Sequence, residues 1–287
     1  MTAKSEAQGR IESIETGMRL LIALAEAERP QMLKAIAAAA NMHPSKAHRY
    51  LVSFIRTGFV DRDPDTGRYR LGPASMQIGL SALGSVNAIA LATQAAIHLR
   101  DDIDETISLA VWGSHGPTIV RIEEASRPVT FNARVGTILP LLSSSSGQVF
   151  AAFLPEPVTA PLVQDELKAN RKRNDPRLMT RLSDAQALLA QVRERGLGRV
   201  RGEMMPGLCA IAAPIFDYRG QPVAAIAVVG PNDMFDTRWN GNIAKSIRKT
   251  AESVSTKLGY APGRVARAGS GDAESARVEL SVVRAAR

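Results

Sequence analysis

The residues of this chain best suited to chemistry are suited to recognition, and they lie in two stretches. The first is Pro44-Ser45-Lys46-Ala47-His48-Arg49-Tyr50-Leu51, continued to Thr57 by residues that keep a helix going. At about 100° per residue, Ala47, Leu51, Phe54 and Ile55 share one face and Ser45, Arg49, Val52 and Arg56 the opposite one, with Lys46 and His48 on the flanks. A helix anchored by one apolar stripe and presenting hydroxyl, ammonium and guanidinium groups elsewhere suits a DNA major groove. There Arg49 and Lys46 reach guanine O6/N7 or phosphate, and Ser45 meets a phosphate at the helix start. His48 reads two ways, as a DNA-facing group or as a hydrogen-bond partner inside its own domain; Arg56, at the far end, reads as a backbone or surface charge. The second stretch is Ser143-Ser144-Ser145-Ser146-Gly147-Gln148, which opens a helix running to about Leu154. Free backbone N–H groups and hydroxyls at a helix start suit a carboxylate; the plainer reading is that these serines cap their helix.

The elements around the first stretch have a consistent order. Residues 32–40 are rich in helix formers, Asn41-Met42-His43 interrupts them, Pro44-Ser45 restarts the helix, and Gly58 stops it. Phe59-Val60 and Tyr69-Arg70-Leu71 are strand-like around the turn Asp63-Pro64-Asp65-Thr66-Gly67, beside which Arg62, Arg68 and Arg70 cluster. This is a helix-turn-helix followed by a β wing, with Arg68 and Arg70 set for phosphates or an adjacent minor groove. The alternative is a solvated basic helix in an ordinary small domain, but helix, turn and wing agree with one another.

With 287 residues the chain is long enough for two domains. Residues 1–10 are polar and expected to be mobile. A helix from about Ser13 to Ala27, with Ile14, Met18, Leu21, Ile22 and Ala25 as its core stripe, is expected to pack behind the helix-turn-helix. Residues 73–100 read as a helical linker broken near Gly84-Ser85. Met76, Leu80 and Leu83 mark one apolar stripe there, and residues 88–99 are mostly Ala, Ile and Leu, a surface for a dimer contact or for packing on the linker's own domain. From Asp104 the pattern turns to strands, at residues 106–112 and 118–123 as a hairpin, then 129–135, 208–216 and 222–229. Helices are expected after Ser144, from Ser183 (a capping box with Gln186) to Gly196, and over residues 239–258, with a basic loop at 169–181. Residues 101–260 thus form an α+β domain, an antiparallel sheet flanked by helices. Residues 261–287, rich in Gly, Ala, Ser and Arg, read as a disordered tail.

The net charge of +8 favours a polyanion partner, although part of the excess lies in the tail. No run of about 18 apolar residues and no apolar signal segment is present, so a cytoplasmic protein without a membrane partner is expected. The single cysteine, Cys209, excludes an internal disulfide. Four scattered histidines with no HxxxH or HExxH leave no zinc site, and no cofactor is expected. There is neither a G-x-S-x-G elbow nor a P-loop. The run Asp101-Asp102-Ile103-Asp104-Glu105 reads as a solvated junction, so the chain is not expected to be an enzyme.

The order of helix, helix-turn-helix, Arg-Asp-Pro-Asp-Thr-Gly-Arg-Tyr-Arg-Leu-Gly wing, helical linker and α+β domain resembles the IclR family of bacterial transcription regulators, from about Ile11 to Gly259. The most specific pieces are Ser45-Lys46-Ala47-His48-Arg49-Tyr50-Leu51, the wing, Gly207-Leu208-Cys209-Ala210-Ile211-Ala212-Ala213-Pro214, and residues 222–231. The resemblance implies a winged helix-turn-helix domain at residues 11–72, a helical linker at 73–100, and a GAF-like α+β domain at 101–260 that binds a small metabolite. It further implies homodimers or tetramers on palindromic promoter DNA, controlling catabolic operons for aromatic or other organic acids as repressor or activator. It lifts the ligand reading of Ser144, Ser145, Ser146, Gly147 and Gln148 and sets Glu203 and Cys209 among the pocket residues. Leu142 and Phe131 are candidates for apolar walls. Cys209 also reads as simple core, and Arg134 and Arg199 read either as partners of an acidic ligand or as solvent-facing.

The departures matter. Where the family commonly has Pro-Leu-His-x-T/S-A-x-G-K, this chain has Pro140-Leu141-Leu142-Ser143-Ser144-Ser145-Ser146-Gly147-Gln148. The usual acidic pair is reduced to Gly202-Glu203, with Arg199 and Arg201 just upstream. No particular family ligand is carried over. The function expected is a sequence-specific regulator binding double-stranded promoter DNA and a small organic acid. The alternative is a ligand-blind DNA-binding scaffold whose second domain serves only oligomerisation, with salt-dependent binding and no sequence preference.

Overall fold

The structure, a computed structural model, describes residues 11–27, 29–85, 87–126 and 133–261. The chain forms two compact units that divide after residue 86. The N-terminal residues 1–10, most of the strand expected at 129–135, and all but the first residue of the expected tail lie outside the described residues.

The smaller unit runs α1 (Glu12–Glu26), α2 (Leu33–Ala39), α3 (Pro44–Arg56), β1 (Val60–Arg62), β2 (Tyr69–Leu71) and α4 (Pro73–Ser85). Asn41, with φ 51°, turns the chain out of α2. Pro44 stands at the first helical position of α3, where its missing N–H leaves no bond unmade. The cap is His43 rather than Ser45, since the Ser45 N–H donates to His43 Nδ1 at 3.3 Å. Leu20, Leu24, Ile36, Ala47, Leu51 and Tyr69 are among the buried residues of one core.

The face α1 buries is not the expected one. Thr16, Gly17, Leu20 and Leu24 are buried, whereas Ile14, Met18 and Ile22 are 55%, 45% and 55% exposed. Gly17 explains the choice: a Cβ there would sit 3.0 Å from the Phe54 ring and 3.2 Å from that of Tyr50, so the missing side chain lets the rings of α3 approach. On α3, Ala47 and Leu51 are buried as expected and Ile55 is exposed. The wing strands pair antiparallel, Val60 opposite Leu71. Asp63 Oδ1 closes their turn by accepting from the N–H groups of Asp65 and Thr66 and the Thr66 hydroxyl. Those bonds, the Thr66 N–H first, hold the Asp63 carboxyl below its ordinary range.

The larger unit contains α5 (Ala88–Ile103), β3 (Thr106–Gly113), β4 (Gly116–Glu123), α6 (Ser145–Phe153), α7 (Glu156–Arg173), α8 (Leu182–Arg195), β5 (Gly198–Arg201), β6 (Leu208–Phe216), β7 (Pro222–Pro231) and α9 (Asn242–Lys257). The strands form one antiparallel sheet in the order β4-β3-β7-β6-β5. Successive side chains of a strand point to opposite faces, and this sheet uses the two faces differently. Ile107, Leu109, Ile211, Ile226 and Val228 pack against α5 and α9. Ala110, Ala212, Ala225 and Ala227 face α6, with Val149 and Phe150 of that helix. A second apolar cluster joins α6 to α7 and α8 behind it.

Three expectations fail here. Residues 169–181 are not all loop, because α7 extends to Arg173 and ends at Asn174 in the left-handed region. Pro155 is the cap of this helix and Pro157 falls in its first turn, where proline is tolerated. The capping box at Ser183 is absent: α8 begins at Leu182 and the Ser183 hydroxyl bonds Asp184. The short strand β5 was not expected. It begins at Gly198, where a Cβ would collide with the Ser145 carbonyl oxygen, so glycine lets the start of α6 rest on the sheet edge. Gly198→Ala should destabilise the larger unit by about 1–3 kcal/mol, the usual cost of overpacking, measured by urea unfolding against the parent chain.

Candidate functional site

On α3, Ser45, Lys46, His48, Arg49, Val52 and Arg56 are exposed. The side chains of Lys46, His48 and Arg49 form no hydrogen bond or ion pair among the described residues. The His48 ring is thus exposed and has no hydrogen-bond partner among the described residues. The Ser45 hydroxyl lies 2.8 Å from His43 Nδ1, at the helix start.

The wing arginines differ from one another. Arg70 is paired with Asp61 at 3.5 Å, both exposed, and such a pair holds little energy against a competing phosphate. Arg68 Nη1 donates to the Pro30 carbonyl at 3.2 Å, bracing the wing against the α1–α2 connection. Arg62 Nε donates to the Gly67 carbonyl at 3.3 Å and its guanidinium lies 5.5 Å from the centre of the Tyr69 ring. The basic groups thus lie on α3 and the wing of one unit, on elements fixed by local hydrogen bonds.

In the larger unit a cavity lies on the α6 face of the sheet, lined by Ser144, Ser145 and Ser146 at the start of α6 and by Ser108, Val200, Met204, Met205, Ala227 and Val229 among others. The space, open to solvent on one side, is about 40 Å³, room for roughly three water-sized atoms. Among the described residues no charged side chain lines it. Ser144 is the helix cap: its hydroxyl accepts from the Gly147 N–H at 3.0 Å and donates to the Pro140 carbonyl at 2.6 Å. Ser108, Ser145 and Ser146 are 3%, 3% and 2% exposed, and their hydroxyls have no hydrogen-bond partner among the described residues. Ser145 and Ser146 are also the first two helical positions, whose N–H groups have no acceptor within the helix. Buried polar groups are ordinarily satisfied. Here the three hydroxyls line one cavity, which leaves them a little solvent contact.

What fixes this geometry is a carboxylate that the sequence did not single out. Glu166 of α7 accepts from the N–H groups of Leu141 (2.6 Å), Leu142 (2.9 Å) and Ser143 (3.1 Å) and from the Ser143 hydroxyl (2.8 Å). The loop before α6 therefore already holds one anion, an internal one. Gln148 is buried and fully used: Nε2 donates to the Leu142 carbonyl at 2.8 Å and Oε1 accepts from the Arg199 N–H at 2.8 Å. It ties the loop to β5 and does not line the cavity.

The remaining site expectations divide. Ser144, Ser145, Ser146 and Cys209 line the cavity; Leu142, Gly147, Gln148 and Glu203 do not. Leu142 packs outward with α7 and α8. Gly147 meets the Pro140 carbonyl so closely that a Cβ has no room. The Glu203 carboxylate accepts from the Arg201 N–H. Cys209 lines the cavity from its strand, but its thiol packs on the opposite face with Ile211 and Ala213 and donates to Asn232 Oδ1 at 2.9 Å; burial pushes this thiol up. Phe131 lies outside the described residues. Arg134 is exposed, whereas Arg199 stacks 3.8 Å from the centre of the Trp239 ring and donates to the Thr237 carbonyl at 3.0 Å, away from the cavity.

Met204 and Met205, also unexpected, sit on a loop between Gly202 and Gly207, both with positive φ (91° and 84°). Arg177 Nη1 reaches the Gly202 carbonyl at 3.4 Å, and Asp175 fixes Arg177 at 2.6 Å. The Arg177 side chain and N–H hold the Asp175 carboxyl down at about 2. One signal for the cavity was present in the sequence: Ser108 and Ala110, Ala210 and Ala212, Ala225 and Ala227 are small residues at alternate strand positions, which leave space on one face. Among the described residues there is no cluster of His, Cys, Asp and Glu fit for a metal ion, and no helix long and apolar enough to cross a membrane.

Comparison with known proteins adds a family. Residues 13–64 match the model described as the IclR helix-turn-helix domain, and residues 80–256 that of the bacterial transcriptional regulator IclR C-terminal region. The transcriptional repressor IclR of Escherichia coli (strain K12) is 29% identical over 260 residues, 90% of this chain and 93% of the relative. Among solved structures, that of Pseudomonas aeruginosa HmgR is 40% identical, covers 88% of this chain and 100% of its own, and has a TM-score of 0.75. An IclR homolog from Microbacterium hydrocarbonoxydans, complexed with 4-hydroxybenzoate, is 24% identical and has the same fold, with a TM-score of 0.52 over 85% of this chain and 98% of its own.

The Glu166 contacts generate a prediction. In Glu166→Gln an amide nitrogen faces backbone N–H groups and the charge assistance is lost, which should lower stability by about 2–3 kcal/mol. Calorimetry or urea unfolding checks the loss; an unchanged midpoint would show that the loop is held by other means.

Proposed function

The chain belongs to the IclR family of bacterial transcriptional regulators, and from that premise we propose that it binds a palindromic promoter site as a dimer or tetramer and responds to a small organic acid, aromatic acids included. The DNA-binding residues are Ser45, Lys46, His48 and Arg49 on α3, with Arg68 and Arg70 on the wing. The observation that carries this part is that Arg49 and the flanking Lys46 and His48 are exposed, without a side-chain partner among the described residues, on a helix whose other face is buried. Self-association is supported by the apolar residues this unit leaves exposed, Ile11, Ile14, Met18 and Ile22 on α1 and Met76, Ile78 and Leu80 on α4. The effector site is the cavity at the start of α6, where two N–H groups and the hydroxyls of Ser145 and Ser146 suit a carboxylate. In the Microbacterium hydrocarbonoxydans homolog, a protein of the same fold is complexed with an aromatic acid, which supports that ligand class here. The protein acts on DNA in the cytoplasm, and the chemistry it performs is binding.

The ligand-blind scaffold is the poorer reading, because an assembly domain has no use for a cavity lined by hydroxyls that have no partner among the described residues. Replacing Arg49 by Ala should cost about 1–3 kcal/mol of specific operator affinity while leaving binding to random DNA much less affected; gel shifts on the protein's own upstream promoter and on scrambled DNA compare the two. Paired Ser145→Phe and Ser146→Phe substitutions should abolish the thermal shift and the change in promoter binding produced by an effector acid, with DNA affinity retained. Promoter binding that no acid alters in the parent protein would favour the scaffold.

A further inference from the structure

The charge pattern of the α6 cavity goes further than the presence of an acid. We infer that it selects monocarboxylic acids with an uncharged, apolar body and rejects dicarboxylates and amino acids, an inference that rests on the effector reading above. One end of the cavity offers the Ser145 and Ser146 N–H groups and hydroxyls, donors without partners among the described residues, at the positive end of a helix. The other surfaces are Val200, Met204, Met205, Leu208 and Val229, with no cation and no carboxylate among them.

Of the charged groups nearest in sequence, Arg201 is exposed and lies, like Arg199, on the other side of its strand from Val200, and the rest are engaged elsewhere. Arg199 is stacked on Trp239, Glu203 holds the Arg201 N–H, Arg177 is paired with Asp175, and Glu166 is consumed by the loop beneath α6. A ligand with one carboxylate satisfies the donor end and lays its body against thioether and aliphatic carbon, contacts that suit a ring edge or an alkyl chain. Among the described residues a second carboxylate has no cation to meet and an ammonium group no anion, so each is buried unpaired, the costliest way to bury charge. Ser108, from the sheet, leaves one further hydroxyl for a neutral polar group on that body.

Size acts on the same choice. The space of about 40 Å³ holds roughly three water-sized atoms, so a ring enters only as Met204 and Met205 yield. The loop that carries them is bounded by two glycines already at positive φ and is tied at Gly202 by Arg177. Flexible thioethers yield more readily than branched side chains.

The test uses the full-length protein, with benzoate and butyrate as monocarboxylates, terephthalate and succinate as dicarboxylates, phenylalanine as an amino acid, and benzamide as a neutral control. Isothermal titration should give the monocarboxylates at least tenfold tighter binding than their dicarboxylate, amino acid or amide counterparts. A Met205→Lys variant places a cation at the apolar end and should shift the terephthalate-to-benzoate affinity ratio at least tenfold towards terephthalate. Circular dichroism and promoter binding verify that the variant is folded. Dicarboxylates binding as tightly as monocarboxylates to the parent protein would overturn the selectivity while leaving the effector site in place. A folded Met205→Lys variant with an unchanged ratio would overturn the assignment of the apolar end. Absence of binding by every acid would instead defeat the effector reading on which the inference stands.

Discussion

The larger unit depends on one carboxylate. Glu166 gathers three consecutive backbone N–H groups and a hydroxyl from residues 141–143, and those residues would otherwise be buried polar backbone in a connection between a sheet and a helix. Backbone donors removed from water must be paired or their burial is strongly unfavourable. Once the loop is fixed, the start of α6 has one position, with Gln148 tying it to β5 and Gly147 and Gly198 permitting the close approaches on either side. The donors left over, those of Ser145 and Ser146, have no acceptor among the described residues. The donor end of the cavity is thus a consequence of satisfying the rest of the loop.

The two faces of the sheet complete the arrangement. Large aliphatic side chains on the α5 and α9 face make a dense core, and alanines and Ser108 on the α6 face leave space. The alternation of strand side chains turns a difference of one residue into a difference of function: Leu208 and Ala210 line the cavity while the thiol of Cys209 between them belongs to the core. A thiol so placed donates to Asn232 and is pushed towards its protonated form, the state of a packing residue.

Much of the fold was legible because local signals agreed. Pro44 at a helix start, Gly58 at its stop and the Asp-Pro-Asp-Thr-Gly turn each have one good structural use, and together they leave little choice for residues 41–71. Legibility failed where tertiary contact decided between equivalent local options. Helix α1 is apolar around most of its circumference, so periodicity alone picked Ile14, Met18 and Ile22, whereas Gly17 had marked the buried side through what it lacks. In the proposed site, four of the expected residues line the cavity and others near them hold the loop instead. Gln148 and Gly147 are required at the start of α6 for packing and tying, and their place in the motif resembled a place in the cavity. Glu166, 20 or more residues from its partners, carried no local signature at all; an acidic residue on a polar helix is ordinarily a solvated one.

Regulation adds a thermodynamic condition to this geometry. An acid bound at α6 alters promoter occupancy only to the extent that it binds the DNA-competent and DNA-incompetent states of the protein with different affinity. The groups able to generate such a difference are those whose bonding a ligand changes. The α6 donors gain an acceptor, and the loop bearing Met204 and Met205 is displaced against its tie to Arg177. Glu166 and Arg177 belong to α7 and to the turn that follows it, so one helix and its connection touch both the floor and the cover of the cavity. A ligand that lifts the cover while the floor stays fixed by four hydrogen bonds loads the connection between α7 and α8 rather than the sheet. In the proposed site this connection, and not the dense core on the other face, is the element a ligand acts on.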